Sequence, residues 1–179
     1  MTASQQDLFG SAPDPAWPEG LRYEAAFLEP AEEAGLLQCI RALPLEPMKY
    51  QNFIARRRVV SYGGQYDFSA QRLEAAAPIP DWLWPLRAKA AAWGGLSPDR
   101  FVHALVAEYQ PGTPLGWHRD VPDFEDVVGI SLQAEAVIRF RPYPPRHPRR
   151  QDVMKLTVAP RSIYLLRGAA RWSWQHSVA

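Results

Sequence analysis

The sequence predicts an α+β fold, mainly β: an antiparallel sandwich or jelly roll with two N-terminal helices packed on one outer face. Three observations predict it. Two stretches ahead of Phe101 carry apolar residues at helical spacing, after Phe101 the period changes to that of short strands, and Gly, Pro or charged turns separate those strands. No internal repeat or low-complexity tract interrupts the pattern.

Residues 1–20, ending in "SAPDPAWPEG", are polar and proline-rich, and predict a flexible N-terminal arm leading into a single domain over residues 21–179. From Pro30, "PAEEAGLLQCIRALP" places proline at a helix start, acids in the first turn and Leu36, Leu37, Ile40 and Leu43 on one face. In "PDWLWPLRAKAAAWGG", Asp81 reads as an N-cap, Pro85 falls where amides lack internal partners, and Gly94 and Gly95 stop the helix. Between the helices, "ARRRVVSYGGQYDFS" reads as a strand, a glycine turn and an extended aromatic segment. The later strand candidates are "VHALVAEY", "VVGISLQ", "AVIRFRPY", "VMKLTVA" and "SIYLLRG". The stretch "RFRPYPPRHPRR", residues 139–150, holds five arginines and four prolines, and predicts an exposed, stiff loop beyond a strand end.

Composition narrows the function classes. A chain of 179 residues with 47% apolar side chains buries a core of its own. The net charge of +1 makes no global case for a nucleic-acid partner, so that case rests on local arginine clusters. One cysteine, Cys39, excludes an internal disulfide framework and reads as a small apolar residue. No apolar run reaches the roughly 20 residues of a membrane span, and "MTASQQDLFG" lacks the pattern of a signal peptide, so a cytoplasmic location is expected.

The stretch "WHRDVPDF" carries the chemistry. On a strand, residues i and i+2 share a face, so His118 and Asp120 project an imidazole and a carboxylate together while Arg119 faces away. A polar turn or a surface ion pair would use the same residues. A metal site needs a third ligand, and His103, His147 and His176 are the candidates. His147 has cationic neighbours, and His103 reads as a half-buried structural residue. His176 lies in the extended segment "RWSWQHSVA", flanked by Trp172 and Trp174. Two histidines and one carboxylate leave open positions, as in non-haem Fe(II) oxygenases. A zinc hydrolase could use the same set, but no clear general base stands beside it.

The runs "AEYQPGTPLGWHRDVPDFEDVVGISL", "VIRFRP" and "APRSIYLLRGAARWSWQHSV", with "RRRVVSYGGQYDFS" and "PIPDWL" upstream, resemble the AlkB-like family of Fe(II)- and 2-oxoglutarate-dependent dioxygenases over residues 50–179. The resemblance implies a double-stranded β-helix, Fe(II) held by His118, Asp120 and His176, and 2-oxoglutarate and O2 as cosubstrates. Tyr109 matches the family's tyrosine that bonds 2-oxoglutarate. The family's partner asparagine is Ala107 here. Its arginines for the far carboxylate lie on a strand after the distal histidine. The sequence ends at Ala179, so the domain is expected to lack its C-terminal strand, with Arg139 as a stand-in.

The family's reaction oxidatively decarboxylates 2-oxoglutarate to succinate and CO2. Hydroxylation of an N-methyl group then releases formaldehyde. The implied partner is alkylated DNA or RNA, and reaching a base in a duplex requires flipping it out. Cations for phosphates and planar groups for stacking are offered by Arg56, Arg57, Arg58, Tyr62 and Tyr66, and by Arg146, Arg149 and Arg150. Where DNA-repairing members continue the H-x-D triplet with acids, this chain has Val121 and Pro122. The alternatives are a dioxygenase acting on a protein side chain or small molecule, and a non-catalytic binding module with a vestigial site.

Overall fold

A computed structural model describes residues 17–50, 53–67, 70, 72–145 and 153–179. In chain order its elements are β1 (Leu21–Glu24), α1 (Pro30–Arg41), β2 (Glu46–Tyr50), β3 (Phe53–Tyr62), β4 (Gln65–Asp67), β5 (Arg72–Glu74), α2 (Trp84–Gly94), β6 (Ala104–Glu108), β7 (Leu115–His118), β8 (Val127–Ile130), β9 (Ala136–Pro142), β10 (Met154–Val158), β11 (Ile163–Leu166), α3 (Gly168–Trp172) and β12 (Trp174–Val178). Every strand pairing is antiparallel.

Alternation along the strands builds the core. In β10, Met154, Leu156 and Val158 are buried while Lys155 and Thr157 are exposed. In β9, Ile138 and Phe140 are buried between partly exposed neighbours. These side chains belong to the four-stranded sheet β10-β9-β12-β7, and they pack against Leu21, Tyr23, Tyr164, Leu166 and Val127 from the sheet β1-β11-β8. The two sheets therefore face each other across one apolar layer, the arrangement of a double-stranded β-helix. A third sheet, β2-β3-β6, and the hairpin β4-β5 complete the described strands.

The opposite face of the second sheet meets the helices. Ile163, Val128 and Ile130 share a second core with Leu36 and Ile40 of α1 and Leu83, Leu86, Ala90 and Trp93 around α2. Proline and acids start α1 as the pattern predicts, and the Glu32 carboxylate accepts the Glu29 amide at 2.7 Å. The second helix begins later than its sequence suggests. Asp81–Leu83 forms a 3-10 turn, and the α-helix proper starts at Trp84, with Pro85 in its first turn. The glycine stop is Gly95, at φ 67°.

Other elements escape the sequence pattern. Strands β1, β2 and β5 and the one-turn helix α3 are too short to show a period. Residues 17–20, assigned to the arm, already engage the fold: the Ala170 amide donates to the Glu19 carbonyl at 2.8 Å, and the Arg167 amide to the Gly20 carbonyl at 3.2 Å. The rest of the arm, and residues 146–152 of the arginine-rich loop, lie outside the described residues. Among the described residues no helix is long and apolar enough to cross a membrane.

Gly129 of β8 is required by what lies above it. It pairs with Tyr164 across β8 and β11, and a Cβ built on it would overlap the Tyr164 ring. The absent side chain is what lets a phenol lie flat in the interior. Gly129→Ala should therefore destabilise the protein by about 2 kcal/mol through overpacking, read as a lower denaturation midpoint.

Candidate metal centre

The register of β7 and β12 sets His118 directly opposite His176. Across an antiparallel pair, facing side chains project to the same side of the sheet, and the two imidazole centroids lie 4.2 Å apart. His176 also faces Phe140 from β9, at 6.1 Å between rings, so both imidazoles enter the interior layer. Strand β7 ends at His118, and Asp120 lies two residues further on, where the chain still carries its carboxylate to the same face. His118 Nε2 is 4.0 Å from Asp120 Oδ1, and His176 Nε2 is 3.7 Å from Oδ2.

One ligand atom from each of the three residues fits within a 4.8 Å cluster. His118 Nδ1 lies 2.8 Å from the Gly116 carbonyl. A carbonyl only accepts, so Nδ1 carries the hydrogen, and Nε2 is the nitrogen turned to the cluster, free to act as a metal ligand. Burial pushes His176 down to about 4, against the opposing pull of Asp120, so this imidazole is neutral at neutral pH. Asp120 Oδ2 is buried and has no hydrogen-bond partner. Lone pairs thus converge on one point with no donor between them. That arrangement is unfavourable alone and favourable around a cation, so the three side chains fit a metal ion.

The loop after Asp120 is clamped by arginines. Arg171, 2% exposed, donates from Nη2 to the carbonyls of Asp120 at 3.3 Å and Val121 at 2.6 Å, and from Nε to that of Phe124 at 3.0 Å. Arg171 sits five residues before His176, so one side chain ties the loop of one ligand to the segment carrying another. Burial lowers its pKa, but a guanidinium remains charged. Asp126 receives Arg167 at 3.1 Å and Arg100 at 3.0 Å, and Arg100 also reaches Glu125 at 3.1 Å. His103, half-buried as expected, stacks on Phe124 at 4.9 Å. Its pKa is lowered by burial, against a hydrogen bond to the Gly64 backbone.

The remaining sequence candidates lie in different places. The Tyr109 hydroxyl accepts Arg57 Nη1 at 3.2 Å. Burial above all, with the Asp120 charge and Tyr109 adding to it, raises the pKa of Tyr164. Sequence reasoning missed Tyr164 altogether, although strand alternation around buried Ile163 and Leu165 marks it as facing the other way. Arg58 is engaged by Glu108 through contacts of 2.7 to 2.9 Å, and Tyr62 packs into the helix-side core. Arg56 is exposed on β3, and Tyr66 lies on β4. Arg139 is not brought to the metal ligands: it alternates with buried Ile138 and Phe140, and its half-buried guanidinium covers the fully buried Ser177, reaching Oγ at 2.9 Å on the opposite face of the sheet. Arg119 also turns outward, with Nη1 donating to the Trp172 carbonyl at 3.1 Å. Arg146, Arg149, Arg150 and His147 lie outside the described residues.

A sequence profile of the 2OG-Fe(II) oxygenase superfamily matches residues 20–179, and the chain belongs to that superfamily. Within it the chain is AlkB-like. It is 26% identical over 169 residues to "Probable RNA/DNA demethylase ALKBH6" of Danio rerio, covering 90% of this chain and 70% of that protein. It is 25% identical over 173 residues to "Alkylated DNA repair protein ALKBH8 homolog" of Arabidopsis thaliana, covering 85% of this chain and 48% of that one, so it spans about half of that relative. Its fold matches the solved structure of OsALKBH1 with a TM-score of 0.68 at 15% identity, over 92% of this chain and 87% of that chain. Membership makes the protein a dioxygenase whose cofactor is Fe(II) and whose cosubstrates are 2-oxoglutarate and O2.

Two outcomes test this centre. Arg171→Lys replaces a planar fork, which reaches three carbonyls from two nitrogens, by a single compact ammonium, so Mn(II) or Co(II) affinity should fall about 10- to 100-fold, as for lost supporting contacts elsewhere, measured by calorimetry. For pH, both His103 and His176 have folded pKa values below the ordinary 6.5, so between about 4 and 6.5 the unfolded chain binds more protons. The stability of their neutral forms is present above that window and lost as pH falls through it. The melting temperature of the metal-free protein should drop on acidification, and His103→Phe, which keeps a ring against Phe124, should remove part of that slope.

Proposed function

We propose that this dioxygenase removes N-alkyl groups from nucleic-acid bases by oxidation, with His118, Asp120 and His176 holding the iron. The observation that carries the iron assignment is the buried, partnerless Asp120 Oδ2, 3.7 Å from His176 Nε2, with Oδ1 of the same carboxylate 4.0 Å from His118 Nε2. The substrate class is supported by the names of the two relatives, a nucleic-acid demethylase and a DNA-repair protein.

Iron bound there supplies, with 2-oxoglutarate and O2, the oxidising power that hydroxylates a C–H bond while the cosubstrate becomes succinate and CO2. The chain's own residues do the positioning. The Gly116 carbonyl holds the His118 ring in the tautomer that presents Nε2. Arg171 holds the Asp120 backbone. Among the described residues, Arg57 has only weak acceptors as hydrogen-bond partners, the Met48 sulfur at 2.6 and 3.2 Å and the Tyr109 hydroxyl at 3.2 Å. A guanidinium beside a phenol is a receptor for a carboxylate, and this pair suits 2-oxoglutarate better than Arg139, which the sheet turns outward. Tyr164, its ring over Gly129, packs against the core between the two sheets.

The test is succinate formation by the full chain given Fe(II), 2-oxoglutarate and O2, with methylated single-stranded DNA, methylated RNA or a methylated peptide. Formaldehyde and succinate should rise together with a methylated nucleic acid. Stimulation by the peptide alone would replace the nucleobase reading with a protein substrate. Asp120→Ala should abolish turnover while keeping the fold, and Arg57→Gln should raise the KM for 2-oxoglutarate about tenfold or more, as befits a lost charged hydrogen bond.

A further inference from the structure

Resting on that substrate class, we propose that the outer face of the sheet β10-β9-β12-β7 binds the phosphodiester backbone of the nucleic acid. Alternation places its cations. Arg139 and Arg141 flank buried Phe140 on β9, Lys155 lies between buried Met154 and Leu156 on β10 and pairs with Arg139, and Arg119 follows β7. Aromatic rings lie among them. Arg141 Cζ is 4.3 Å from the Trp117 ring centroid, Arg139 Cζ is 5.4 Å from the same ring, and Arg119 Cζ is 4.0 Å from that of Tyr143.

The partners of these arginines are neutral. Arg141 donates twice to Gln175 Oε1, at 2.9 and 3.0 Å, Arg139 to Ser177 Oγ at 2.9 Å and the Val178 carbonyl at 3.4 Å, and Arg119 to the Trp172 carbonyl at 3.1 Å. Elsewhere Arg58 pairs with Glu108, Arg72 with Glu74, Arg100 and Arg167 with Asp126, and Arg161 with Glu33, while Arg171 is held by loop carbonyls and Arg57 by Met48 and Tyr109. Among the described residues, none of the ion pairs of 4.0 Å or less involves Arg119, Arg139, Arg141 or Lys155. With a net charge of only +1 over the chain, four cations on one face that enter no ion pair among the described residues concentrate positive charge there.

Neutral acceptors and rings orient these guanidinium planes without neutralising them. Arginine forks held that way suit phosphate oxygens, and Tyr143, 39% exposed beside Arg119, offers a ring for a base. Strand β7 is the edge of its sheet, and Arg119 adjoins Asp120 on the opposite side of the backbone. A strand laid across this face can turn over the β7 edge and deliver a base to the metal side.

The experiment measures binding of the full chain to an unmethylated single-stranded oligodeoxynucleotide by fluorescence anisotropy across a salt series. Arg119→Gln/Arg141→Gln should bind about tenfold or more weakly near 0.1 M salt, and its log-log salt slope should be shallower by about 1.4, roughly 0.7 per lost phosphate contact. Arg72→Gln/Arg87→Gln, which removes the same charge elsewhere, should change affinity less than about twofold. If the double variant fails to fold, Arg119→Lys/Arg141→Lys stands in: charge without the fork should keep the slope and weaken binding, while unchanged affinity would refute the surface. Unchanged affinity and slope in the glutamine variant, no binding by the wild type, or tighter binding of a polyglutamate peptide would each overturn the proposal. Succinate assays on the wild type and the glutamine double variant with a methylated oligonucleotide separate the two readings. Turnover without dependence on these arginines sinks the surface alone. Arginine-dependent binding without turnover sinks the demethylase reading and leaves the surface standing.

Discussion

Two imidazoles and a carboxylate that offer each other only lone pairs must be held within a few ångströms, and the rest of the molecule is arranged around that requirement. Without a cation, the buried Asp120 Oδ2 has given up water for nothing, a cost of the order of 1–3 kcal/mol. The β7–β12 register meets part of the demand by placing His118 and His176 opposite each other in the ladder. Asp120 has no ladder to hold it. Its backbone is fixed by Arg171, which spends one buried guanidinium on three loop carbonyls.

The support extends outward in layers. Arg167 and Arg100 converge on Asp126, and Arg167 also donates to the Gly94 carbonyl at the end of α2 at 3.1 Å, so the helix-side core and the metal loop are tied through one residue. On the interior side, Phe140, fully buried, packs behind His176. The two cores lie on opposite faces of the sheet β1-β11-β8: Ile163 belongs to the helix side and Tyr164 to the sheet side. One strand thus couples the helices to the lining of the site.

The four-stranded sheet shows the same division on its own two faces. Inward it carries His118, His176 and Phe140. Outward it carries Trp117, Arg139 and Arg141, which bond across strands to Gln175 and Ser177. The period of two that builds the site also keeps these arginines away from it. Proximity in sequence, one residue from a ligand, here means the opposite environment.

Much of this was legible in the residues alone. The helical spacing from Pro30, the strands after Phe101 and the same-side placement of His118 and Asp120 follow from periods that local sterics impose. The motif resemblance extended these to the oxygenase fold and to His176. What the residues did not show depends on which strand lies beside which. Nothing in the residues alone singled out Arg171, which α3 sets beneath the metal loop, or Tyr164, whose ring lies over Gly129, and Arg139, read as a stand-in for the cosubstrate's arginines, is turned to the other face by its register with Ser177. Periodicity along the chain determined which side chains share a face. Only the tertiary structure decided what that face meets, because long-range strand pairing and the three-dimensional direction of a guanidinium are not encoded in local spacing.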